Sequence, residues 1–187
     1  MELLVEHKTK CDANLSQYGL IRRLAWQEKY PEYAKGVSTW IDEHDNDAHH
    51  FIVYADGRPI AVSRLSIVSD PEDLKRHLVF PDIEKTITRS FFPIALFTRL
   101  AVHPEFRGHG IARLLDEKRL ESARKLNATT GLVEIHSKSK RIEALNSLGF
   151  TTIDSIPPYL ASRHAPDNID QTRELIALQI DLRPNLS

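Results

Sequence analysis

A short glycine-rich turn is the part of this 187-residue chain whose residue types and spacing best suit chemistry. It follows an apolar run and comes directly before a segment with helical periodicity. Gly108 and Gly110 let the backbone approach a ligand closely and take φ values that other residues avoid. The first amides of a helix lack intrahelical partners and lie at the positive end of its dipole. The turn therefore predicts an anion site suited to a pyrophosphate, with Arg107 adding charge at its rim; an ordinary strand–turn–helix connection is the alternative.

The residues around this turn resemble a known superfamily. Arg107-Gly108-His109-Gly110-Ile111-Ala112 is similar to the coenzyme A pyrophosphate loop of the GNAT N-acetyltransferases, Arg/Gln-x-x-Gly-x-Gly/Ala. The preceding Leu100-Ala101-Val102-His103-Pro104 resembles the bulged fourth strand of that superfamily, and Gly149-Phe150 resembles the pair that opens its sixth strand. The order and spacing of these motifs agree from the fourth strand to Gly149-Phe150.

The resemblance implies an acyl-CoA-dependent N-acyltransferase, with residues 1–187 as a single domain. The implied fold is α/β (α+β), a single mixed, mostly antiparallel sheet that is splayed between its fourth and fifth strands and flanked by helices. The backbone of Leu100, Ala101 and Val102 would hold pantetheine, and one amide near the bulge would polarise the thioester carbonyl. The pyrophosphate would bind Arg107, Gly108, His109, Gly110, Ile111 and Ala112. An amine would then attack acetyl-CoA or another acyl-CoA directly in a ternary complex, where positioning supplies much of the catalysis.

The groups that would handle protons depart from the family pattern. Counting back from Gly149-Phe150 places Leu145 where many relatives carry a tyrosine that protonates the leaving thiolate, and Lys138 where they often carry an asparagine. For the general base, Glu134 in the predicted fifth strand is the first candidate, because carboxylates near the splay often deprotonate the incoming ammonium. His136 is the second candidate. A solvated glutamate and a structural histidine are the alternatives.

A weaker resemblance, to acyl-homoserine lactone synthases and N-acyl amino acid synthases, covers the first hundred residues. Its landmarks are Ile21-Arg22-Arg23-Leu24-Ala25-Trp26, Trp40, Ser63-Arg64-Leu65 and Thr98-Arg99-Leu100. Leu96 stands where the lactone synthases carry a glutamate, and Ala48 where the second of their paired aspartates is expected. Arg64 and Arg99 could still bind an acceptor carboxylate in bidentate fashion, or form salt bridges with neighbouring acids. The acceptor pocket is expected between these arginines and the segment from Trp26 to Trp40.

Carboxylates and imidazoles crowd one polar segment before the predicted hairpin. They are Asp42, Glu43, His44, Asp45, Asp47, His49 and His50. Such groups ligate metal ions in proteins, but their order matches no known ligand spacing. The sequence therefore predicts a solvated polar loop here and no metal site.

Periodicity and breakers define the elements that must position these groups. Apolar residues at three- and four-residue steps predict helices at residues 14–28 and 111–126, and a shorter one at 139–148. Asp56-Gly57 between the apolar runs 51–54 and 60–67 predicts a hairpin. Further strands are expected at residues 2–5, 94–102, 131–136 and 173–182, and short helices at most between Ser69 and Pro93. Intermixed strands and helices favour one mixed sheet.

Composition excludes several classes of protein. Lys and Arg number 25 against 26 Asp and Glu, so no field of one sign steers the chain to nucleic acid or an anionic membrane. The hydrophobic share of 41% is typical of globular rather than disordered chains. The single cysteine, Cys11, excludes an internal disulfide framework and a multi-cysteine zinc site. No run approaches the ~18 apolar residues of a membrane span.

Together these features predict a cytoplasmic enzyme that acts on a small-molecule or peptide amine, with no nucleic-acid or membrane partner and no metal cofactor. The acidic residues at the start of the sequence are unlike the basic start of a signal peptide. The sequence leaves open whether the protein forms a homodimer. Three alternatives remain: an N-acyl amino acid or autoinducer-type synthase, a CoA-binding regulatory module with little turnover, and an interaction domain in which residues 107–112 form a plain turn. The acceptor and the acyl length are not fixed by a fold-level likeness.

Overall fold

The computed structural model describes residues 2–9, 15–27, 31, 38–78, 86–160 and 174–184. The strands in this part of the chain are β1 (Leu3–Thr9), β2 (His49–Ala55), β3 (Arg58–Val68), β4 (Ile94–Val102), β5 (Thr130–His136), β6 (Thr151–Thr152), β7 (Tyr159–Leu160) and β8 (Glu174–Asp181). Its α-helices are α1 (Leu15–Gln27), α2 (Pro71–His77), α3 (Ile111–Lys125) and α4 (Arg141–Ser147).

The strands form one mixed sheet in the order β1-β2-β3-β4-β5-β8-β6, with β7 paired to β8. β4 and β5 are parallel, and their pairing joins residues 94–96 to residues 130–132 at the start of each strand. The antiparallel pairings are those of β1 with β2, of β2 with β3, and of β8 with β5, β6 and β7. The predicted fold class, a mixed and mostly antiparallel sheet with flanking helices, is confirmed.

Contacts divide the chain into two compact units. The first contains Met1–Ser66 and Thr98–Arg119. Its apolar core joins the buried face of α1 to β2, β3 and β4 through Tyr18, Ile21, Ala25, Ile52, Val62 and Ala101. The buried positions of α1 recur at helical spacing, which explains why this segment forms the predicted helix.

The hairpin of the first unit depends on a tight turn. Asp56 has φ +48° and Gly57 has φ +80°, and both values suit the central positions of a type I′ turn. Ala55 and Arg58 pair directly across the turn. The twist of such a turn matches that of the flanking strands, so the predicted hairpin is confirmed.

The second unit contains Ile67–Phe97 and Leu120–Ser187. Asp70 begins α2 as its N-cap, because its carboxylate accepts a hydrogen bond from the amide of Asp73 at 2.9 Å. α4 ends before Gly149, whose φ of +97° suits a residue after a helix C-cap. Phe150 then packs edge-on against Phe97 with ring centroids 5.4 Å apart, and β6 follows as expected from Gly149-Phe150.

The predicted elements agree with the observed ones to within a few residues, with two differences. β1 extends to Thr9, beyond the predicted patch, because its whole length pairs with β2. The two-residue strand β7 was not expected and is defined by its pairing with β8. Three parts of the sequence predictions lie outside the described residues: Cys11, the ends of the predicted first helix at Asn14 and Glu28, and residues 28–30 and 32–37 of the segment from Trp26 to Trp40.

Candidate active site

The predicted anion turn is an open structure at the N-terminus of α3. Gly108 has φ +81° and Gly110 has φ +76°, and a Cβ added at either glycine would meet no atom within 4 Å. The amide of Leu114 donates to the carbonyl of Gly110 at 3.0 Å, so the helix begins directly at the turn. The first turn of α3 contains no acidic residue. These features leave the helix N-terminus suited to an external anion.

Arg107 ties this turn to the first helix. Its Nη2 donates to the carbonyl of Ala25 near the end of α1 at 2.5 Å. This nitrogen of the guanidinium therefore stabilises the fold, while residues 107–110 are exposed. The predicted contact of Arg107 with a pyrophosphate stays a prediction.

The strand before the turn is irregular at Arg99. This residue has φ +53°, a conformation that residues other than glycine adopt rarely and that is found in one kind of β-bulge. The irregularity lies one residue before Leu100, where the family resemblance begins. At the far end of β4, the amide of His103 donates to the carbonyl of Ile60 in β3 at 2.8 Å.

A buried ion pair joins α1 to the acidic segment. Asp45 is 0% exposed, and its two carboxylate oxygens accept hydrogen bonds from Arg22 at 2.7 and 2.9 Å. Burial alone would raise the pKa of Asp45, but Arg22 and Arg64 outweigh it and lower that pKa. The carbonyl of Asp45 also accepts a hydrogen bond from Nε2 of His50 at 2.7 Å, and burial lowers the pKa of this histidine.

Asp42 brings the two predicted acceptor arginines together. Its Oδ1 accepts a short hydrogen bond from Arg64, and its Oδ2 accepts from Nε and Nη2 of Arg99 at 2.9 and 2.6 Å. Burial would raise the pKa of Asp42, but these guanidiniums hold it well below its usual range. Arg64 also donates to Asp45 at 3.0 Å and to the hydroxyl of Thr98 at 3.0 Å.

We define the charged cluster as Arg22, Asp42, Asp45, Arg64 and Arg99. It holds three guanidiniums and two carboxylates, which leaves one net positive charge. The side chain of Arg64 is 4% exposed, whereas that of Arg99 is 28% exposed. Arg99 is therefore the more accessible of the two predicted acceptor arginines.

The expectation of a solvated polar loop is wrong for Asp45, which is fully buried. Ala48 stands where a second paired aspartate is expected, but the segment does contain a pair of aspartates, Asp42 and Asp45, which together bind the arginines. Both aspartates also fix a 3-10 turn at Glu43–Asp45: Asp42 accepts from the amide of His44, and Asp45 accepts from the amide of Asp42. The Asp-x-x-Asp spacing was the signal that could have identified the pair.

The predicted general base lies in β5 of the second unit. Glu134 accepts a hydrogen bond from the hydroxyl of Tyr159 at 2.6 Å, so it is not simply a solvated surface carboxylate. Burial and Glu134 raise the pKa of Tyr159 well above its usual range, which keeps the phenol protonated as the donor. Leu145 is 0% exposed in α4 and offers no proton. Sequence reasoning missed Tyr159, which follows Pro157-Pro158 outside any periodic segment.

The described residues contain neither a group arranged to hold a metal ion nor a membrane-spanning helix. No group of three or more His, Cys, Asp or Glu side chains is arranged to hold a metal ion in this part of the chain. No described helix is long and apolar enough to cross a membrane.

Comparison with known families decides the classification. The sequence model of the Acetyltransferase (GNAT) family matches residues 18–150, which include the charged cluster, the anion turn and Glu134. The chain belongs to the GNAT acetyltransferase family. No curated protein sequence shows a significant match to it.

Three solved structures are similar in fold to this chain. The AHL synthase LasI is similar with a TM-score of 0.68 and 16% identity, over 97% of this chain and 91% of that one. The ribosomal-protein-S18-alanine N-acetyltransferase from Escherichia coli has a TM-score of 0.60 and 17% identity, over 98% and 99%. A Bacillus subtilis acetyltransferase in complex with CoA has a TM-score of 0.59 and 16% identity, over 97% and 100%.

Proposed function

We propose that this GNAT family member transfers an acyl group from acyl-CoA to an amine. The observation that carries the proposal is the exposed turn at residues 107–110, where two glycines with positive φ leave open space directly before α3. A pyrophosphate suits that position because helix-terminal amides and the helix dipole favour negative charge. Family membership and the CoA complex of the Bacillus subtilis acetyltransferase support the same co-substrate.

In the proposed reaction, the backbone of residues 107–112 holds the pyrophosphate and that of residues 100–102 holds the pantetheine arm. The amine nitrogen attacks the thioester carbonyl carbon, a C–N bond forms, and the C–S bond breaks to release the CoA thiolate. A backbone amide beside the irregularity at Arg99 stabilises the oxyanion. Much of the rate comes from holding both reactants in one complex.

Glu134 is the proposed group that removes the proton from the attacking amine. An unperturbed alkylamine has a pKa of about 10.4, so fewer than about one molecule in a thousand is nucleophilic at pH 7. The hydrogen bond from the Tyr159 hydroxyl, at 2.6 Å, fixes one carboxylate oxygen of Glu134 in place. The departing thiolate has less need of an acid, because a thiol pKa is only about 8.5.

The charged cluster favours an acceptor that carries a carboxylate. The cluster carries a surplus positive charge, and Arg99 is more exposed than Arg64, with which it shares Asp42. A planar guanidinium binds a carboxylate through two parallel hydrogen bonds. An N-acyl amino acid or autoinducer-type synthase is therefore the second candidate function, and it differs from the first in requiring an acceptor carboxylate.

Two measurements test the proposal. Isothermal titration calorimetry with CoA and acetyl-CoA should show binding to the intact protein. Release of free CoA thiol should then be followed with an amino acid, its amide, a polyamine and a peptide amine. Turnover with the amino acid but not its amide would support an acceptor carboxylate. Absence of CoA binding would overturn the proposal, and binding without turnover of any amine would indicate a regulatory module.

A further inference from the structure

A second buried ion pair lies inside α3, apart from the charged cluster. Arg119 is 0% exposed and Asp116 is 1% exposed, and Nη2 of the arginine donates a short hydrogen bond to Oδ1 of the aspartate. The two residues are three positions apart and so lie on one face of the helix. The pair belongs wholly to the first unit.

The other nitrogen of this guanidinium binds the backbone of the sheet. Nη1 of Arg119 donates to the carbonyl of Arg64 in β3 at 3.2 Å and to the carbonyl of Thr98 in β4 at 3.3 Å. The next residue, Arg99, is the one in β4 with positive φ. Arg119 therefore holds the carbonyl directly before the point where β4 departs from a regular strand.

Stability alone does not explain a charged pair at this position. Moving two charges out of water carries a desolvation penalty that their attraction often fails to recover, and apolar side chains of similar size can be as stabilising. An apolar side chain, however, cannot donate hydrogen bonds to two carbonyls. A lysine would provide the charge without the planar fork that reaches Asp116 and both carbonyls together.

The helix itself joins this contact to the anion turn. α3 begins at Ile111, and eight residues later, about 12 Å along the axis at about 1.5 Å per residue, it carries Arg119. α3 thus presents its N-terminal amides at the anion turn and, farther along, donates a hydrogen bond from Arg119 to the backbone of β4. Residues 100–102 follow the Thr98 carbonyl in β4, and the chain then continues to the anion turn.

We propose that Arg119 is a positioning residue for acyl transfer, which fixes the backbone of β4 at Thr98 and Arg99 and thereby aims the amides of residues 100–102 at the acyl-CoA thioester. This inference rests on the proposed function, because it assigns those amides to the thioester carbonyl. α3 then sets the spacing between the pyrophosphate site and the oxyanion site. Loss of Arg119 should disturb the carbonyl contact while leaving the pyrophosphate contact in place.

The test uses acetyl-CoA carrying carbon-13 at its carbonyl and reads the polarisation of that carbonyl when it is bound. Calorimetry gives the Kd, and the carbon-13 chemical shift and the infrared C=O stretch report the hydrogen bond to the oxyanion site. The variants are Arg119→Met, Arg119→Lys and the double variant Asp116→Leu with Arg119→Met. Arg113→Met is the matched control, because Arg113 lies on the same helix but is exposed and pairs with Glu117.

We expect all variants to bind CoA within about threefold of the parent. The carbon-13 chemical shift and the C=O stretch of the bound carbonyl should show polarisation in the parent and in Arg113→Met. Both quantities should return toward their values in solution in all three Arg119 variants. With a reactive amine, kcat should fall about 10²-fold while KM for acyl-CoA changes little. The double variant keeps the test valid if Arg119→Met leaves Asp116 unpaired and fails to fold, since it removes both buried charges.

Two results overturn the inference in distinguishable ways. If the folded double variant and Arg119→Lys polarise the bound carbonyl as the parent does, Arg119 does not position β4, although CoA binding stands. If the parent itself does not bind acetyl-CoA, the proposed function fails and the inference fails with it.

Discussion

Replacing Gly110 should separate the conformational need for glycine from the need to admit a ligand. Gly110 and Gly57 have φ of +76° and +80°, and an added Cβ would meet no atom within 4 Å at either site. Steric clashes therefore add nothing to the destabilisation caused by either substitution. The remaining cost is that of the left-handed backbone conformation, about 1–2 kcal/mol for an L-residue. At about 2–4 °C per kcal/mol, Gly110→Ala and Gly57→Ala should each lower Tm by about 2–8 °C.

The two variants should differ in their affinity for CoA. The open space at Gly110 is where we propose that the pyrophosphate lies, so a methyl group there should weaken CoA binding by at least about tenfold, or about 1.4 kcal/mol. Gly57 lies in the turn of the β2–β3 hairpin, and its variant should keep the parent Kd. Differential scanning fluorimetry gives Tm, and calorimetry gives Kd. Parent-like CoA binding by Gly110→Ala, or an equal loss in Gly57→Ala, would refute the assignment of the turn.

Three further predictions concern the charged groups. Glu134→Gln should lower kcat/KM by about 10²-fold at pH 7, and much of this loss should be regained near pH 9–10, where the amine loses its own proton. In the same pH–rate assay, Tyr159→Phe should keep most of the activity. Arg99→Ala should raise the KM for the acceptor and leave the affinity for CoA unchanged. Arg64→Ala breaks a buried ion pair and should lower the free energy of unfolding, measured in urea, by about 3–5 kcal/mol. An equal loss of CoA affinity in both variants would show that these arginines support the fold and do not bind the acceptor. The pKa of Asp42 is lowered in the folded state, so its contribution to stability is present above its unfolded pKa of about 3.9 and is lost as the pH falls through the folded value. Asp42→Asn should therefore be less stable than the parent at pH 7 and lose less of its stability below about pH 4, and parallel stability curves would contradict this.

Local signals predicted the parts of the fold that local chemistry determines. The hairpin follows from Asp56-Gly57, because positive φ at both positions selects the turn. The strand–turn–helix around residues 94–125 follows from apolar runs interrupted by two glycines. The two-residue strand β7 is too short for any periodic pattern, and its pairing with β8 defines it.

The charged cluster could not be derived in the same way, because its partners are distant in sequence. Asp45 lies 23 residues from Arg22, and Asp42 lies 57 residues from Arg99. A run of acids and histidines with no apolar period is typical of a solvated segment. The Asp-x-x-Asp spacing relates Asp42 to Asp45, but nothing local shows that three arginines will fold onto them. The contact of Glu134 with Tyr159, 25 residues away, was hidden for the same reason.

The non-local ion pairs of Asp42 and Asp45 also determine how this part of the molecule opens. The segment around the Glu43–Asp45 turn contains neither a strand nor an α-helix, so its amides would ordinarily exchange with solvent quickly. To open, however, it must leave the buried guanidinium of Arg22 without its carboxylate and release Arg64 and Arg99 at the same time. The segment should therefore unfold together with α1 and the hairpin as one cooperative unit. In native-state hydrogen exchange, the amides of Asp42 and His44, which donate to Asp45 and Asp42, should show the protection of the core rather than that of a loop.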